Sequence, residues 1–271
     1  MPRLSCHAGA RPAAASRAAA ELPTYEAHLP PESYAIERSV RRKSRNVTHE
    51  FETVEPWPSA WTPSGVVEAL SPLVTEARRT RLRSVIDARL VSVTVLMDAP
   101  HDPHNGGAVL RSCDAFGVQR LCVVPRAEPF AISTTVTRGS EKWVDVQLYR
   151  TPSEAVAALS REGFTLVATH PEGTLVSDDL ARIPKLSLVL GNERDGIRDE
   201  LERAARHTVR VPMRGFVESL NMSVSAAILL AAATHGRPGD LSDADRERLF
   251  ARGLYRTLPH AADVLAASVP R

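Results

Sequence analysis

The chain has 271 residues, 43% of them hydrophobic, which suits one sizeable domain with appendages or two small domains. Its 34 Lys and Arg nearly balance 32 Asp and Glu, so net charge alone does not demand a nucleic-acid partner. The longest apolar run, 226–233, is too short to span a bilayer, and the three cysteines lack metal-ligand spacing. These features argue against a membrane span and a disulfide framework, and they predict a soluble, cytoplasmic protein.

The first 61 residues predict a poorly ordered extension. Residues 1–20 carry three arginines and no acidic residue, a pattern shared by transit-like segments and by disordered tails. Residues 21–61 contain five prolines and little periodic hydrophobicity. We therefore expect regular structure to begin near residue 62.

Two helices are predicted between residues 62 and 90. The apolar positions that define their buried faces are Val66, Leu70 and Val74, followed by Leu82, Val85, Ile86 and Leu90. The second helix is also strongly basic, and its arginines are Arg78, Arg79, Arg81, Arg83 and Arg89. A solvated helix face and a contact with RNA phosphates both account for such a run, and both stay open at this point.

From residue 91 onward, predicted strands alternate with predicted helices. The strands are 91–97, 120–124, 164–170, 186–191 and 208–212. The helices are 105–118, 153–163 with a Ser153 N-cap, 198–207 and 221–234, with two more within 243–254 and 261–269. This alternation predicts an α/β fold whose parallel sheet is covered by helices on both faces.

Four unusually polar loops follow predicted strands. They are HDPHNGG (101–107), THPEG (169–173), GNERDG (191–196) and MRGFVESLN (213–221). In open α/β sheets, ligands bind at the carboxyl ends of the strands. The four loops are therefore expected to form the rim of one active site.

The familiar signatures of several enzyme classes are missing from the sequence. It contains no G-x-G-x-x-G after the first strand and no G-x-x-x-x-G-K-[ST], which argues against dinucleotide-dependent dehydrogenases and P-loop enzymes. It has no G-x-S-x-G elbow, so Ser219 is a weak hydrolase nucleophile. His101 and His104 flank Asp102, but further ligands at convincing spacing are missing, and no metal is expected.

Three stretches carry a resemblance to a known family. DPHNGGAVLRSCDAFGV (102–118), LVLGNERDGI (188–197) and VPMRGFVESLNMSVSAAILL (211–230) resemble, in order, the three motifs of the SpoU (TrmH-type) RNA 2′-O-methyltransferases of the SPOUT superfamily. TRGSEKWVDV (137–146) resembles a further family stretch around a Lys-Trp pair. The resemblance implies a C-terminal deep trefoil knot, a homodimer, an S-adenosyl-L-methionine cofactor and an RNA substrate.

The resemblance also implies a domain division. Residues 1–61 would be the poorly ordered extension, and 62–90 a basic helical RNA-binding arm. Residues 91–236 would form the knotted methyltransferase domain, and 237–271 a C-terminal helical extension.

Roles for individual residues follow from the same resemblance. Arg111 would lie beside the target ribose; because a guanidinium stays protonated, we expect it to position the sugar and stabilise the developing alkoxide rather than act as a base. The other implied catalytic residues are Asn105, Glu193, Ser219 and Asn221, and the implied cofactor-lining residues are Thr169, Gly191, Val211 and Leu220. Plainer roles stay open: a surface arginine for Arg111, a turn-stabilising carboxylate for Glu193, and helix N-caps for Ser219 and Asn221.

The expected activity is 2′-O-methylation of tRNA, most simply of a D-loop guanosine. The short flanks favour tRNA, because ribosomal-RNA relatives often carry a separate N-terminal RNA-binding domain. An rRNA or anticodon-loop target is the alternative within the same class. A catalytically silent RNA-binding protein that keeps the fold is the alternative outside it.

Overall fold

The computed structural model describes residues 46–47, 55–126, 129–192 and 194–268. The extension predicted over 1–61 therefore lies largely outside the described residues, as does Glu193. Residues 46–47 are described as backbone only.

A mainly parallel sheet forms the centre of the protein. The strands are β1 (Asn46–Val47), β2 (Leu90–Asp98), β3 (Val118–Val124), β4 (Ile132–Ser133), β5 (Asp145–Leu148), β6 (Thr165–Thr169), β7 (Leu175–Val176), β8 (Leu186–Leu190) and β9 (His207–Arg210). Within the described ranges, seven strands pair in parallel in the order β5-β3-β2-β8-β6-β9-β7. The short strands β1 and β4 pair separately and antiparallel.

Helices connect and cover these strands. They are α1 (Pro63–Leu70), α2 (Glu76–Asp87), α3 (Pro103–Ala115), α4 (Thr134–Thr137), α5 (Pro152–Arg161), α6 (Asp199–Ala204), α7 (Met222–Thr234), α8 (Asp243–Thr257) and α9 (Ala261–Ala266). Short 3-10 turns occur at Ser71–Leu73, Ser140–Lys142 and Ser177–Arg182. No helix in the described part of the chain combines the length and apolar composition that crossing a bilayer requires.

Helices pack on both faces of the sheet, as the sequence predicts. Val95 points into a cluster with Val109 of α3 and Leu229 of α7. Its neighbour Leu96 packs on the opposite face, in a cluster with Leu159 of α5 and Leu201 of α6. Consecutive strand residues alternate between faces, and the central strands are apolar on both because each face is covered.

The helices on either side of the sheet domain in sequence share a single core. Trp57, Trp61 and the apolar faces of α1 and α2 pack with α8 and α9 in one buried cluster. The Trp57 Nε1–H donates to the Trp61 carbonyl oxygen at 3.2 Å. The structure thus differs from the predicted division: residues 55–61 belong to packed structure, and the helices of 62–90 and 237–271 form one unit.

Several element ends also differ from the predictions. Helix α3 ends at Ala115, before Gly117, whose φ of +75° is left-handed and suits glycine. The N-cap of α5 is Thr151 rather than Ser153, because Pro152 takes the first helical position and the Thr151 Oγ1 accepts from Glu154 N at 3.2 Å. Leu90 begins β2 instead of extending α2.

Candidate active site

A cleft of about 550 Å³ opens at the carboxyl ends of β6, β8 and β9. Three of the four predicted polar loops line it, those after β6, β8 and β9. The fourth, which leads into α3, reaches the same region through a hydrogen bond between Asn105 and Asn221. The cleft is thus where the strand-end argument predicts it.

The four residues predicted to line a cofactor pocket all line this cleft. They are Thr169, Gly191, Val211 and Leu220. The Thr169 hydroxyl donates to the Val189 carbonyl oxygen at 3.2 Å, which fixes its side chain against the neighbouring strand. Apolar residues such as Leu190, Ile197 and Leu229 complete much of the wall. Their role toward a ligand stays a prediction.

A tight turn within 191–197, described at 191–192 and 194–197, forms one side of the cleft. Asn192 and Gly196 exchange backbone hydrogen bonds of 3.0 and 3.2 Å, and the Asn192 Oδ1 accepts from Arg194 N and Asp195 N at 2.8 Å each. Gly196 has a left-handed φ of +71°. A Cβ on Gly191 would come within 2.6 Å of Ile197 N, so the turn requires glycine there.

Asn192 adds a hydrogen-bond donor that is not among the residues predicted from the sequence. Its side chain is buried in the wall of the cleft, and its Nδ2 has no hydrogen-bond partner among the described residues. Buried donors are normally satisfied, so this amide suits a ligand that carries an acceptor. The available signal was its position two residues after the end of β8, in a polar loop predicted to border the site.

Asn221 acts both as a helix cap and as a contact between motifs. Its Oδ1 accepts from Ser223 N at 2.8 Å and so caps α7. Its Nδ2 donates to the Oδ1 of Asn105, which is buried in the first turn of α3, at 3.1 Å. Asn221 and the exposed Ser219 both line the cleft. The structure therefore joins Asn105 to Asn221 and places Ser219 with Asn221 along the cleft.

Arg111 lies further along α3 on an exposed face. Its Nη1 donates to the Val136 carbonyl oxygen at 3.5 Å, and Arg111 is not among the described lining residues of the cleft. Glu193, the remaining predicted catalytic residue, lies outside the described part of the chain. One chain alone thus assembles part of the predicted catalytic set.

The five arginines predicted to bind RNA fall into different environments. Arg78 and Arg81 are exposed on α2, and the Arg83 guanidinium lies 4.6 Å from the centre of the Phe250 ring. Arg79 pairs with Glu76 and donates to the Ser71 carbonyl oxygen at 2.6 Å. These four side chains lie on one helix.

Arg89 does not belong to that basic surface, and the prediction that it binds RNA is wrong. It follows the end of α2, its side chain is only 5% exposed, and its Nη2 pairs with Asp114 of α3. A guanidinium buried against a carboxylate is unavailable to RNA phosphates. Its role in this chain is to join the start of β2 to α3.

Neither a reactive thiol nor a metal site is found in the described part of the chain. Cys113 and Cys122 are buried and free, and burial raises the pKa of the Cys113 thiol to about 12, which keeps it protonated. Cys6 lies outside the described residues. Among residues that the structure describes, no group of His, Cys, Asp or Glu has an arrangement that could hold a metal ion.

Comparison with known proteins identifies the family. The SpoU rRNA Methylase family matches residues 92–231, which is more than half of the chain. This range runs from the third residue of β2 into α7 and so contains nearly all of the parallel sheet. The chain belongs to this family. The resemblance seen in the three motifs is thereby confirmed, and the protein is a methyltransferase by family.

Curated relatives give a more specific comparison. The tRNA (guanosine(18)-2′-O)-methyltransferase of Escherichia coli (strain K12) is 31% identical over 195 residues, which cover 68% of this chain and 85% of the relative. The enzyme of the same name from Thermus thermophilus is 35% identical over 182 residues, covering 67% and 88% respectively.

Solved structures agree with this placement. The TrmH/SpoU tRNA modifying enzyme of A. aeolicus has a TM-score of 0.60 and 30% identity, covering 68% of this chain and 98% of that one. The SpoU methyltransferase AviRb from Streptomyces viridochromogenes, solved with its cofactor AdoMet, has a TM-score of 0.50 and 27% identity, covering 56% and 62%.

Proposed function

We propose that the protein transfers the methyl group of S-adenosyl-L-methionine to a ribose 2′-hydroxyl of tRNA, at a guanosine of the D-loop. Family membership and the names of the relatives support methyl transfer to tRNA. The structural observation that carries the proposal is the Asn221–Asn105 hydrogen bond, because it joins the cleft to the helix that bears Arg111. A tRNA substrate would place the protein in the cytoplasm.

The cleft fits S-adenosyl-L-methionine by its chemistry. Apolar side chains such as Leu190 and Leu229 suit the adenine ring, and the Gly191 turn presents main chain to a ligand without a side chain in the way. The Asn192 Nδ2, which has no hydrogen-bond partner among the described residues, can donate to a polar atom of the ligand. Thr169, Val211 and Leu220 would complete its surroundings.

When bound, S-adenosyl-L-methionine supplies a methyl group already activated by its positive sulfur. The task left to the protein is to hold a weakly acidic ribose hydroxyl in line with it. Arg111 carries a permanent positive charge, so it would bind a neighbouring phosphate and stabilise negative charge that develops on the ribose oxygen. Ser219 and Asn221 at the cleft would orient the sugar, and Glu193 stays a predicted contact.

We further propose that the catalytic unit is a homodimer. Arg111 does not line the cleft of its own chain, so a second copy would supply it. Val224, Ile228 and Ala231 are exposed at helical spacing along α7, which packs beside α3. An exposed apolar stripe on α7, which packs beside the helix that carries Arg111, is what an interface formed by these two helices would require.

The trefoil knot is also a proposal. It is supported by the packing of α7 against the Ser177–Arg182 turn and by Arg237, just after α7, whose Nη1 donates to the Pro184 carbonyl oxygen at 2.7 Å. The same guanidinium reaches the carbonyls of Leu180 and Ala181. An experimental chain trace in which 207–237 passes freely outside the 170–185 loop would contradict the knot.

Basic side chains of α2 would extend the RNA surface. Arg78, Arg81 and Arg83 lie on the helical unit that packs at the side of the sheet domain. A dimer would present two such helices, which explains how a nearly neutral chain could bind a polyanion. RNA binding by this surface should weaken steeply with salt.

Mapping ribose methylation tests the proposed function. Total RNA from a deletion strain should lack one 2′-O-methyl mark on a D-loop guanosine, and purified protein with S-adenosyl-L-methionine should restore it on unmodified tRNA. Loss of a mark only in rRNA or in an anticodon loop would contradict the proposed substrate. A folded protein that binds no methyl donor by calorimetry would indicate a silent RNA-binding member of the fold.

A further inference from the structure

Two arginine–carboxylate pairs tie the 191–197 turn to neighbouring parts of the sheet. Arg198, directly after the turn, donates from its backbone N to Asp98 Oδ2 at 2.7 Å and from Nε to Asp98 Oδ1 at 2.6 Å. Within the turn, Asp195 pairs with Arg126, which lies just beyond β3, at 2.6 Å. The turn is thus held at Asp195 and at Arg198, the residue that follows it. The partners of these two residues, Arg126 and Asp98, are not among the described residues that line the cleft.

The Asp98 pair is the more strongly constrained. The Asp98 side chain is 0% exposed, so its charge is fully removed from water. Such burial is costly unless the carboxylate is held at several points with good geometry, as Arg198 holds it. The Arg126–Asp195 pair is 41% and 52% exposed, so water weakens it.

Asp98 also ends the strand that leads into the first motif. Ala99, the next residue, is buried and has a left-handed φ of +49°, which is uncommon for a residue with a side chain. This bend turns the chain out of β2 toward α3, which carries Asn105 and Arg111. The Asp98–Arg198 pair therefore attaches the 191–197 turn to the end of β2. The same strand end leads into α3, the helix that carries Arg111.

We propose that Asp98, acting through Arg198, is a positioning residue that holds the 191–197 turn ready for the methyl donor. The proposal rests on the function proposed above. A turn held in place before binding loses little conformational freedom when the donor enters, so donor affinity is higher. Asp98 itself contacts neither donor nor RNA in this scheme, and its effect should appear in donor binding rather than in the chemical step.

The experiment uses full-length protein and the variant Asp98→Asn, which keeps the side chain's size and removes its charge. Calorimetry gives the Kd for S-adenosyl-L-methionine, and tRNA methylation gives kcat and both KM values. We expect Kd and KM for the donor to rise about tenfold, the factor associated with losing one charged hydrogen bond. The kcat and the KM for tRNA should stay within about twofold of wild type.

Two further variants keep the test decisive. Glu162→Gln breaks the Arg120–Glu162 pair, which joins β3 to the end of α5 away from the cleft, and it should leave donor affinity unchanged. Arg126→Gln breaks the exposed pair to the same turn and should raise the donor Kd about two- to fivefold. Arg126→Gln thus measures the second attachment of the turn, independently of Asp98.

The outcomes separate this proposal from the proposed function. Unchanged donor affinity in folded Asp98→Asn, or an equal loss in Glu162→Gln, would overturn the positioning role while wild-type activity stands. If Asp98→Asn fails to fold, unchanged donor affinity in Arg198→Lys, which keeps the positive charge but loses the contacts of the guanidinium with Asp98, overturns it. A wild-type protein that binds no donor would overturn both.

Discussion

The Asn221 side chain donates from Nδ2 to the Oδ1 of Asn105 at 3.1 Å, across 116 positions of the chain. The same side chain caps α7 through its other atom, accepting from Ser223 N at 2.8 Å. One amide thus fixes the first turns of α3 and α7 relative to each other. The sequence leaves two alternatives for Asn221, a helix cap and a residue of the site. The structure shows that Asn221 caps α7 and also contacts Asn105 beside the cleft.

Two substitutions of Asn221 separate these roles. Serine is a good N-cap but cannot reach Asn105, so Asn221→Ser should keep stability and lose methylation activity by about tenfold. Asn221→Ala loses the cap as well and should be about 1 kcal/mol less stable than Asn221→Ser, with similar activity. Urea denaturation and methylation rates measure the two effects. Full activity in Asn221→Ser would reduce Asn221 to a helix cap.

Arg111→Ala should abolish methylation and leave donor affinity nearly intact. The guanidinium is proposed to stabilise negative charge during transfer, so kcat should fall at least about 100-fold. Since Arg111 does not line the cleft, the donor Kd measured by calorimetry should stay near the wild-type value. Arg161→Ala is a matched control, because Arg161 also lies on a helix and bonds one carbonyl. Near-normal turnover in Arg111→Ala would refute its assigned role.

Arg81 and Arg89 should respond in opposite ways to replacement by alanine. Arg81 is exposed on α2, so Arg81→Ala should weaken tRNA binding a few fold, reduce the salt dependence of binding and leave the melting temperature unchanged. Arg89→Ala leaves Asp114 without its buried partner and should lower the stability by about 3 kcal/mol. Filter binding at several salt concentrations and thermal denaturation distinguish them. The basic-surface assignment fails if Arg81→Ala binds tRNA normally.

Ile228→Glu should dissociate the proposed homodimer. Ile228 is 38% exposed in the single chain and lies on the apolar stripe of α7, so a charge there would be buried by a partner. Sedimentation should show a monomer, and activity should fall with dimer content. Val85→Glu changes an equally apolar residue, 37% exposed on α2, and should stay dimeric. A wild-type monomer at working concentration contradicts the dimer directly.

Asp145 should make the stability depend on pH in the acid range. Burial opposes ionisation of its carboxyl, but Arg252 and Arg248 outweigh burial and hold its pKa below the ordinary value of 3.8. Arg252 Nη1 donates to it at 2.7 Å and Gln119 Nε2 at 3.1 Å. A depressed pKa stabilises the fold fully above the unfolded pKa, and this contribution disappears as pH falls through the folded pKa.

The corresponding measurement compares wild type with Asp145→Asn by urea denaturation across pH. Wild type should be more stable near pH 7, and the difference should shrink below about pH 4. A difference that is constant across this range would mean that the Asp145 charge does not contribute.

Strong periodic signals made much of the architecture predictable. The strands β2, β3, β6 and β8 are apolar enough to read from the sequence because both of their faces are largely buried. The polar loops after β6, β8 and β9 line the cleft. The strands β5 and β7 were missed, since four and two residues at or near a sheet edge give no period. The family motifs predicted the cleft-lining residues, but no pattern indicated that Asn192 would have a buried, unsatisfied amide.

The errors arose where distant segments decide local structure. Arg89 continues the basic run in sequence, yet its environment is set by Asp114 on α3. The shared core of α1, α2, α8 and α9 joins positions more than 150 residues apart, for example through Arg248 and Glu55, whose ion pair spans 193 positions. A window of a dozen residues contains no information about such partners.

The helical unit built from both flanks of the sheet domain has a consequence for synthesis of the protein. Residues 63–87 leave the ribosome early, but their apolar faces have no cover until α8 and α9 have been translated. Until then, the arginine-bearing helix α2 lacks the helices that hold it in place in the folded protein. The affinity of this surface for nucleic acid would therefore mature only after α8 and α9 have been translated.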